Sequence, residues 1–296
     1  MELIFLGTSS MVPTKDRNHS SILLLYEDEG ILFDCGEGTQ RQLRFAGIKP
    51  TRITKIFITH WHGDHVLGLP GLIQTLGSSE YSRVLKIYGP SGTKQRFAAM
   101  LEAFAFEEKI ELDIYEINSG VVLDDERFYV ETMPLEHSVE TLGYNFIEKP
   151  RRKIKVDLIK QLGIPEGPIL GKLQNNKSIE WKGKTVTPEE ATFLEGGKKI
   201  TFLTDTVLTD NCIKLAKDAD LLVCEATYLS TMEEKAEKYK HMTAKQAAFI
   251  ANKAGVKKLV LTHFSQRYKN TLEVEEDARD NFNNIICAED FMRIKM

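Results

Sequence analysis

One short string of histidine and aspartate residues constrains this chain more than any other feature of its sequence. Three of the seven histidines lie within six residues, in the string Thr59-His60-Trp61-His62-Gly63-Asp64-His65. The apolar residues before the string predict a strand over Lys55–Thr59, because a short run with β-branched and aromatic side chains favours a strand over a helix. The string therefore begins where a strand ends.

The spacing within this string predicts two metal positions rather than one. His60 and His62 are two residues apart, so at an extended strand end their side chains point the same way. Gly63 allows a sharp turn, after which Asp64 and His65 begin the following helix and point to a second position nearby. Imidazole and carboxylate groups together suit zinc and similar divalent metals, and also accept manganese or iron.

Three further residues of the same chemistry each follow a predicted strand elsewhere in the chain. They are His137, Asp205 and His263, after the predicted strands Phe128–Thr132, Lys199–Thr204 and Lys258–Thr262. Alone, each would more often be structural, as a turn residue or a helix cap. Because α/β proteins build their sites at strand ends, the shared placement predicts that these side chains join the first string in one site.

Composition excludes several other classes of protein. The 296 residues carry 39 Lys+Arg against 43 Asp+Glu, a formal net charge of -4, which argues against a chain that binds polyanions over its whole surface. The longest apolar runs are far shorter than the roughly 20 residues of a membrane span, and the N-terminus lacks the pattern of a secretory signal. Cys35, Cys212, Cys224 and Cys287 form no C-x-x-C pair, so we expect buried thiols in a reducing cytoplasm.

Short apolar runs alternate with helical periodicity along the chain, which predicts an α/β fold. The predicted helices lie at about Thr39–Phe45, Val66–Leu76, Gly92–Ala105, Asp210–Ala216, Thr243–Ala254 and Glu273–Phe282. The segment Glu148–Glu180 stands apart, with six Lys/Arg in its first thirteen residues against Glu148 and Asp157, followed by a stretch dense in Gly and Pro. Such residues punctuate elements rather than build them. We expect an insertion that projects from the main body; a solvated surface excursion without function is the simpler alternative.

The string and the later ligand residues resemble the metallo-β-lactamase superfamily over the length of the chain. The resemblance implies an αββα sandwich formed by residues 1–296 as a single domain, with two zinc ions per subunit at one edge of the facing sheets. Residue by residue, it implies that His60, His62 and His137 hold one ion, that Asp64, His65 and His263 hold the other, and that Asp205 bridges them. Trp61 and Thr204 depart from the common pattern without removing a ligand.

Other motifs resemble the ribonuclease Z family within that superfamily. They are Pro13-Thr14-Lys15-Asp16-Arg17-Asn18, Asp34-Cys35-Gly36-Glu37-Gly38-Thr39, Glu225-Ala226-Thr227 and His241-Met242-Thr243, the last departing at its middle position. The segment 148–180 is similar to that family's tRNA-binding arm. The resemblance implies a homodimer that cuts precursor tRNA 3′ of the discriminator base and leaves a 3′-hydroxyl, with the arm of one subunit serving the site of the other.

The same resemblance suggests roles for residues around the metals. Asp64 would both ligate and accept a proton, His241 would stabilise the scissile phosphate or protonate the leaving oxygen, and Glu225 would orient His241; a helix-cap position is the alternative for His241. Lys15, Arg17, Arg151, Arg152, Lys153 and Lys172 are predicted to contact RNA. His19 could line the cleft or make a structural hydrogen bond.

Two alternatives to this function stay open at the level of sequence. The first is a small-molecule phosphodiesterase of the same superfamily, since the metal site alone does not choose the substrate. The second is a non-catalytic RNA-binding subunit, which the complete set of seven ligand residues argues against.

Overall fold

A computed structural model describes residues 1–105 and 110–296. The strands are β1 (Glu2–Gly7), β2 (Ser21–Tyr26), β3 (Glu29–Phe33), β4 (Ile53–Phe57), β5 (Leu85–Gly89), β6 (Leu112–Glu116), β7 (Gly120–Asp124), β8 (Phe128–Leu135), β9 (Thr141–Glu148), β10 (Arg151–Ile154), β11 (Ile179–Trp181), β12 (Lys184–Val186), β13 (Thr192–Glu195), β14 (Lys199–Leu203), β15 (Leu221–Glu225), β16 (Leu259–Thr262), β17 (Ile285–Cys287) and β18 (Arg293–Lys295).

The helices are α1 (Thr39–Phe45), α2 (Gly63–Val66), α3 (Leu69–Gly77), α4 (Thr93–Glu102), α5 (Val156–Leu162), α6 (Pro168–Gln174), α7 (Pro188–Ala191), α8 (Asp210–Ala216), α9 (Glu233–Tyr239), α10 (Ala244–Lys253) and α11 (Leu272–Arg279), with 3₁₀ turns at Pro50–Arg52 and Ser230–Met232. Among the described residues, no helix is both long enough and apolar enough to cross a membrane.

The chain divides into two compact units, and the larger one holds two sheets. It comprises residues 1–122, 130–146 and 199–296. Within the described residues, one seven-stranded sheet has the order β18-β1-β2-β3-β4-β5-β6 and the other the order β17-β16-β15-β14-β9-β8-β7. Strands β3 to β6 and β14 to β17 run parallel in their sheets, so their carboxyl ends meet at common edges.

Aromatic side chains fill the space between the sheets. The ring of Phe33 on β3 stacks on that of Phe202 on β14 with centroids 3.7 Å apart, and the Tyr144 hydroxyl donates to the carbonyl of Ile58 at 2.6 Å. Stacked rings bury large apolar areas, and the hydroxyl finds a partner inside the core. These contacts fix the inner faces of the two sheets relative to each other.

Helices cover the outer faces of both sheets, which confirms the predicted αββα sandwich. One core cluster joins α10 to β15 and β16 through Ala247, Ala251, Leu222 and Leu261, among others. A second cluster packs α3 on β4 and β5. On β15 every residue is buried, as expected for a parallel strand covered on both faces.

One predicted helix is wrong in detail. The continuous helix predicted over Val66–Leu76 is two helices, α2 and α3, separated at Leu67 and Gly68. Gly68 donates its backbone N–H to the carbonyl of Cys35 at 2.9 Å, and a Cβ at this position would lie 2.0 Å from the carbonyl oxygen of Gly36. This close backbone approach interrupts the helix and requires glycine.

The smaller unit comprises residues 123–129 and 147–198. It pairs β10 with β13 and β11 with β12, both antiparallel, around its own buried side chains, which include Ile159, Leu173 and Val186. The predicted segment 148–180 lies within this unit, and β13, the partner of β10, lies beyond the segment's end. Unlike a solvated excursion, the unit has a small apolar core.

Candidate metal centre and catalytic site

Strand register brings the distant ligand residues to one edge. In the second sheet Leu203, Cys224 and Leu261 are paired neighbours on β14, β15 and β16. Asp205 and His263 lie two residues beyond the first and last of these. Both adopt left-handed backbone conformations, with φ of 36° and 61°, a strained geometry for non-glycine residues that clusters at functional sites.

The first cluster comprises His60, His62, His137 and Asp205, whose ligand atoms all lie within 4.8 Å of one another. The Nε2 atoms of His60 and His137 lie 3.0 Å and 3.2 Å from Nδ1 of His62, and 3.7 Å and 4.0 Å from Oδ2 of Asp205. The four side chains therefore point their donor atoms at one common position.

The second cluster comprises Asp64, His65, Asp205 and His263. Nε2 of His65 and Nε2 of His263 each lie 3.5 Å from Oδ2 of Asp64, and 3.4 Å and 3.1 Å from Oδ1 of Asp205. Asp205 thus offers Oδ2 to the first cluster and Oδ1 to the second, the geometry of a bridging carboxylate. Asp64 and His65 lie on α2, which begins at Gly63, so the change from extended backbone at His62 to helix separates them from His60 and His62.

A network behind His65 and His60 fixes which ring nitrogen faces the metal positions. Nδ1 of His65 donates to Oδ2 of Asp34 at 2.7 Å. Asp34 also accepts hydrogen bonds from the backbone N–H and the hydroxyl of Thr59, both at 2.8 Å. Because that hydroxyl donates to Asp34, its oxygen accepts from Nδ1 of His60 at 3.0 Å. Nδ1 therefore carries a proton in both rings, and Nε2 is the nitrogen that would bind a metal.

His137 and His263 are oriented in the same manner. Nδ1 of His137 donates to the carbonyl of Lys240 at 2.8 Å, and Nδ1 of His263 lies 3.0 Å from the hydroxyl oxygen of Thr227. Sequence reasoning assigned no role to Asp34, Thr59 or Thr227. Asp34 and Thr227 lie inside motifs that the sequence displays, but their function depends on contacts between distant strands.

The charge balance of the clusters fits divalent cations. Burial lowers the pKa values of His60, His62 and His137, so these imidazoles are neutral ligands. Burial alone raises the pKa values of Asp64 and Asp205, but their histidine neighbours hold both well below the usual range. Burial lowers the pKa of His65, but the carboxylates of Asp205, Asp34 and Asp64 raise it well above its usual value.

Unpartnered buried atoms give a direct test of metal binding. Nε2 of His65, Nε2 of His263 and Oδ1 of Asp205 are buried and have no hydrogen-bond partner among the residues that the structure describes. Buried polar atoms almost always have partners, and these three converge on one position. Nitrogen and oxygen ligands in two sets that share one carboxylate are what a pair of divalent metal ions requires.

His241 and Glu225 form a pair beside the clusters. Nδ1 of His241 lies 3.1 Å and 3.2 Å from the two oxygens of Glu225, and Glu225 is held by the N–H of Thr206 at 2.7 Å and the hydroxyl of Thr227 at 2.6 Å. Burial lowers the pKa of His241, but the charge and hydrogen bond of Glu225 outweigh it and raise the pKa to about 9. The helix cap of α10 is Thr243, not His241.

An open cleft of about 410 Å³ leads to this centre. Ligand residues, His241 and a rim of tyrosine and lysine side chains line it; the lining includes Asp64, His137, His263, Tyr228, Lys238 and Tyr239. Five of the seven predicted ligands therefore face this cleft: His62, Asp64, His137, Asp205 and His263.

The structure places Lys15 and Arg17 outside the lining of the cleft. The Lys15 side chain is 89% exposed and pairs with Asp16 at 3.3 Å. Arg17 donates to the carbonyl of Tyr268 at 2.8 Å and lies 5.3 Å from the ring centroid of Phe264, contacts that hold its loop in place. His19 is buried and its Nε2 lies 3.0 Å from the carbonyl oxygen of Met11, a structural hydrogen bond.

Three of the four predicted RNA-binding cations of the smaller unit pair with carboxylates of that unit. Arg151 and Lys153 lie 3.7 Å and 3.4 Å from Oε2 of Glu195, and Arg152 lies 2.7 Å from Glu189. Lys172 is exposed on α6. The local excess of positive charge is thus smaller in the fold than the sequence predicts.

The fold and the paired ligand clusters define a hydrolase of the metallo-β-lactamase superfamily, a fold that implies divalent metal binding. Residues 174–264 match the family model described as beta-lactamase superfamily domain, and residues 1–137 match the model described as Anti-Pycsar protein Apyc1.

Full-length relatives narrow this class to one family. The chain is 41% identical to the ribonuclease Z of Methanothermobacter thermautotrophicus, over 100% of this chain and 97% of the relative. It is 42% identical to a Bacillus cereus ribonuclease Z, over 98% and 97%. The crystal structure of the short form of human tRNase Z superposes with a TM-score of 0.73 at 32% identity, covering 100% and 99%. The chain belongs to the ribonuclease Z family and is an endoribonuclease.

Proposed function

We propose that this chain is a zinc-dependent endoribonuclease that processes the 3′ end of tRNA. It would cut precursor tRNA 3′ of the discriminator base and leave a 3′-hydroxyl on the tRNA. The observation that carries the proposal is the bridged pair of ligand clusters beside the His241–Glu225 pair, in a chain 41% identical over its length to a ribonuclease Z.

The two clusters would hold two zinc ions per subunit. His60, His62 and His137 would bind one, Asp64, His65 and His263 the other, and Asp205 would bridge them. When bound, a pair of such ions supplies an activated water and positive charge to stabilise a phosphodiester during in-line attack.

Asp64 would accept a proton from the attacking water. Its carboxylate lines the cleft and lies between His65 and His263. Because these neighbours lower its pKa far below the usual range, the group stays ionised at neutral pH. An ionised carboxylate is what both a metal ligand and a proton acceptor require.

His241 would donate the proton that the leaving 3′ oxygen requires. Its Nδ1 faces Glu225, so Nε2 is the nitrogen left to act toward the cleft. The raised pKa keeps the imidazole protonated at neutral pH, and proton transfer by a placed side chain contributes about 10²–10⁴-fold to a rate. Glu225 acts as a positioning residue.

The smaller unit would bind the body of the tRNA. Arg151, Arg152, Lys153 and Lys172 of that unit, together with Lys15 and Arg17, remain our predicted phosphate contacts. A homodimer remains a prediction from the family resemblance, and a cytoplasmic location remains a prediction from the cysteine pattern. Sedimentation analysis of the purified protein would test the dimer.

Cleavage of one precursor tRNA with mapped ends tests the proposal. Zinc-loaded protein should cut 3′ of the discriminator base and leave a 3′-hydroxyl. An Asp64→Ala variant should lose roughly 10²-fold or more of this activity, the scale of a missing proton acceptor. Asp210→Ala, at the first turn of α8 and outside both clusters, is the control and should cut normally.

Two outcomes would contradict the proposal. Cutting by Asp64→Ala at the wild-type rate would exclude the mechanism. Hydrolysis of bis(p-nitrophenyl) phosphate without any cleavage of precursor tRNA would instead assign the site to a small-molecule phosphodiesterase.

A further inference from the structure

A cluster of tyrosines and cations lies at the rim of the metal cleft, and the function described so far does not use it. We call it the tyrosine–cation rim; its members are Tyr228, Lys235, Lys238, Tyr239 and Arg267. Tyr228 follows β15, Arg267 follows β16, and the other three belong to α9. All five lie in the larger unit.

The cations lie close to the two aromatic rings. Nζ of Lys235 is 6.0 Å from the ring centroids of both Tyr228 and Tyr239. Nζ of Lys238 is 5.8 Å from the Tyr239 centroid, and the Arg267 guanidinium carbon is 5.2 Å from that of Tyr228. Such distances permit cation–π attraction, so the lysine and arginine stems are held near the rings.

The three cations of the rim are not neutralised by carboxylates. Among residues 1–105 and 110–296, Lys235, Lys238 and Arg267 form no ion pair within 4.0 Å, whereas Lys240 pairs with Glu136. At about 100° per residue, Lys235, Lys238 and Tyr239 share one side of α9. Glu233 and Glu237 lie on the opposite side, whereas Glu234 lies one turn from Lys238 on its own side. Positive charge is therefore concentrated at this rim, although the protein as a whole has a net negative charge.

The rim is continuous with the catalytic site. Tyr228, Lys238 and Tyr239 line the same cleft as Asp64 and His263, and the Tyr228 ring centroid lies 6.1 Å from that of His241. Tyr239 is 50% exposed, so its ring can accept a further partner.

We infer that the tyrosine–cation rim binds single-stranded RNA beside the scissile phosphate. Tyr239 stacks on a base, while Lys235, Lys238 and Arg267 contact phosphates; exposed aromatic rings flanked by cations are the usual device for unpaired nucleotides. The position of the RNA strand relative to His241 rests on the proposed function. Because His241 donates to the leaving 3′ oxygen, the nucleotide beside His241 is the one that carries that oxygen.

Steady-state cleavage of precursor tRNA by zinc-loaded full-length variants tests the inference. Tyr239→Ala should lower kcat/KM by about 5- to 150-fold, the range for removal of one base stack. Tyr239→Phe should restore most of the activity, because stacking needs the ring and not the hydroxyl. The decrease on RNA should exceed the decrease on bis(p-nitrophenyl) phosphate by about fivefold or more, because a purely structural role would lower both activities alike.

The charges are tested by the salt dependence of affinity. The double variant Lys235→Ala/Lys238→Ala should reduce the slope of log affinity against log salt by about 0.7 for each phosphate that it no longer neutralises. Phe249→Ala and Lys253→Ala are matched controls, because this pair forms the same kind of contact at 5.7 Å on α10 and does not line the cleft. Both should behave like the wild type.

Direct binding separates this inference from the proposed function. The probe is a fluorescent single-stranded oligoribonucleotide, with binding measured by anisotropy on the wild type and on the variants. If the wild type fails to cut precursor tRNA, the proposed function is wrong, yet weaker oligonucleotide binding by Tyr239→Ala still supports the rim. Equal binding and cutting by Tyr239→Ala and the wild type would overturn the inference.

Discussion

The positions of individual donor atoms determine which residues belong to each of the two clusters. The two oxygens of Asp205 lie toward different clusters, and each ring nitrogen that points away from the metal positions on His60, His65, His137 and His263 has an oxygen partner. Because these partners fix the tautomers, the ligand set is preorganised before any metal arrives.

Thr227 is the residue where the metal site and the His241–Glu225 pair meet. Its hydroxyl donates to Glu225 at 2.6 Å and lies 3.0 Å from Nδ1 of His263. Thr227→Val removes both contacts at nearly constant shape, so we expect the affinity of the second cluster for zinc to fall about 10- to 100-fold. Competition with a chromogenic chelator measures this affinity.

Thr227→Ser is the matched control, since it keeps the hydroxyl, and it should retain most of the affinity. If the valine and serine variants bind zinc alike, the hydroxyl does not orient His263. Turnover at saturating zinc then reports separately on the contact with Glu225.

At the scale of elements, local signals set the helix ends near the site. Thr243 caps α10 with a complete capping box: its side chain accepts from the N–H of Gln246, whose side chain accepts from the N–H of Thr243. The sequence predicts this helix at Thr243–Ala254, and the structure confirms it. The cap follows His241 by two residues, so it also fixes the backbone next to His241.

Removal of this cap should be measurable as a decrease in stability. Thr243→Ala should lower the free energy of unfolding by about 0.5–2 kcal/mol, because it removes a side-chain cap from a buried helix. Urea denaturation provides the measurement. Thr209→Ala is the control, since Thr209 precedes α8 without a side-chain cap bond; an equal decrease there would mean that the cap is not the cause.

At the scale of the molecule, the proposed tRNA contacts of the smaller unit can be tested separately from the chemistry of the larger unit. The backbone N–H of Glu148 donates to the carbonyl of Lys198 at 2.9 Å, so the ends of the segment between them are adjacent. Replacing residues 149–197 by a short Gly-Ser linker removes the segment as a whole, whereas deletion of 148–180 alone would leave β13 without β10.

We expect this replacement to reduce kcat/KM on precursor tRNA at least tenfold. It should also flatten the salt dependence by roughly 0.7–0.9 in slope for each phosphate that the segment neutralises. Hydrolysis of bis(p-nitrophenyl) phosphate should persist, because every ligand lies in the larger unit. A parallel decrease of both activities would show that the smaller unit serves folding instead.

Metal removal should destabilise the whole larger unit. Ligands at about 100 times Kd stabilise a fold by roughly 2.7 kcal/mol, and each kcal/mol shifts the Tm of a domain of this size by about 2–4 °C. We therefore expect a chelator to lower the Tm by about 5–10 °C, measured by calorimetry and reversed by zinc. An unchanged Tm would argue against metal binding at these clusters.

Much of this fold can be predicted from the local pattern of apolar and polar residues in the sequence. The apolar runs predict the strands that carry the ligands, and the helices Thr39–Phe45 and Asp210–Ala216 are confirmed with the predicted bounds. The pattern misses α9, whose alternating charges carry little apolar periodicity, and the short strands β17 and β18, whose pairing depends on neighbours far along the chain.

The sequence by itself determines the chemistry of this protein: which side chains can bind metal, and that each follows a strand. The tertiary structure alone decides their grouping. Parallel register brings Asp205 and His263 to one edge, and only that packing lets Asp205 reach both clusters and Glu225 face His241. The reason is physical: local pattern reports the burial and periodicity of a segment, whereas contacts between distant segments depend on how whole sheets pack.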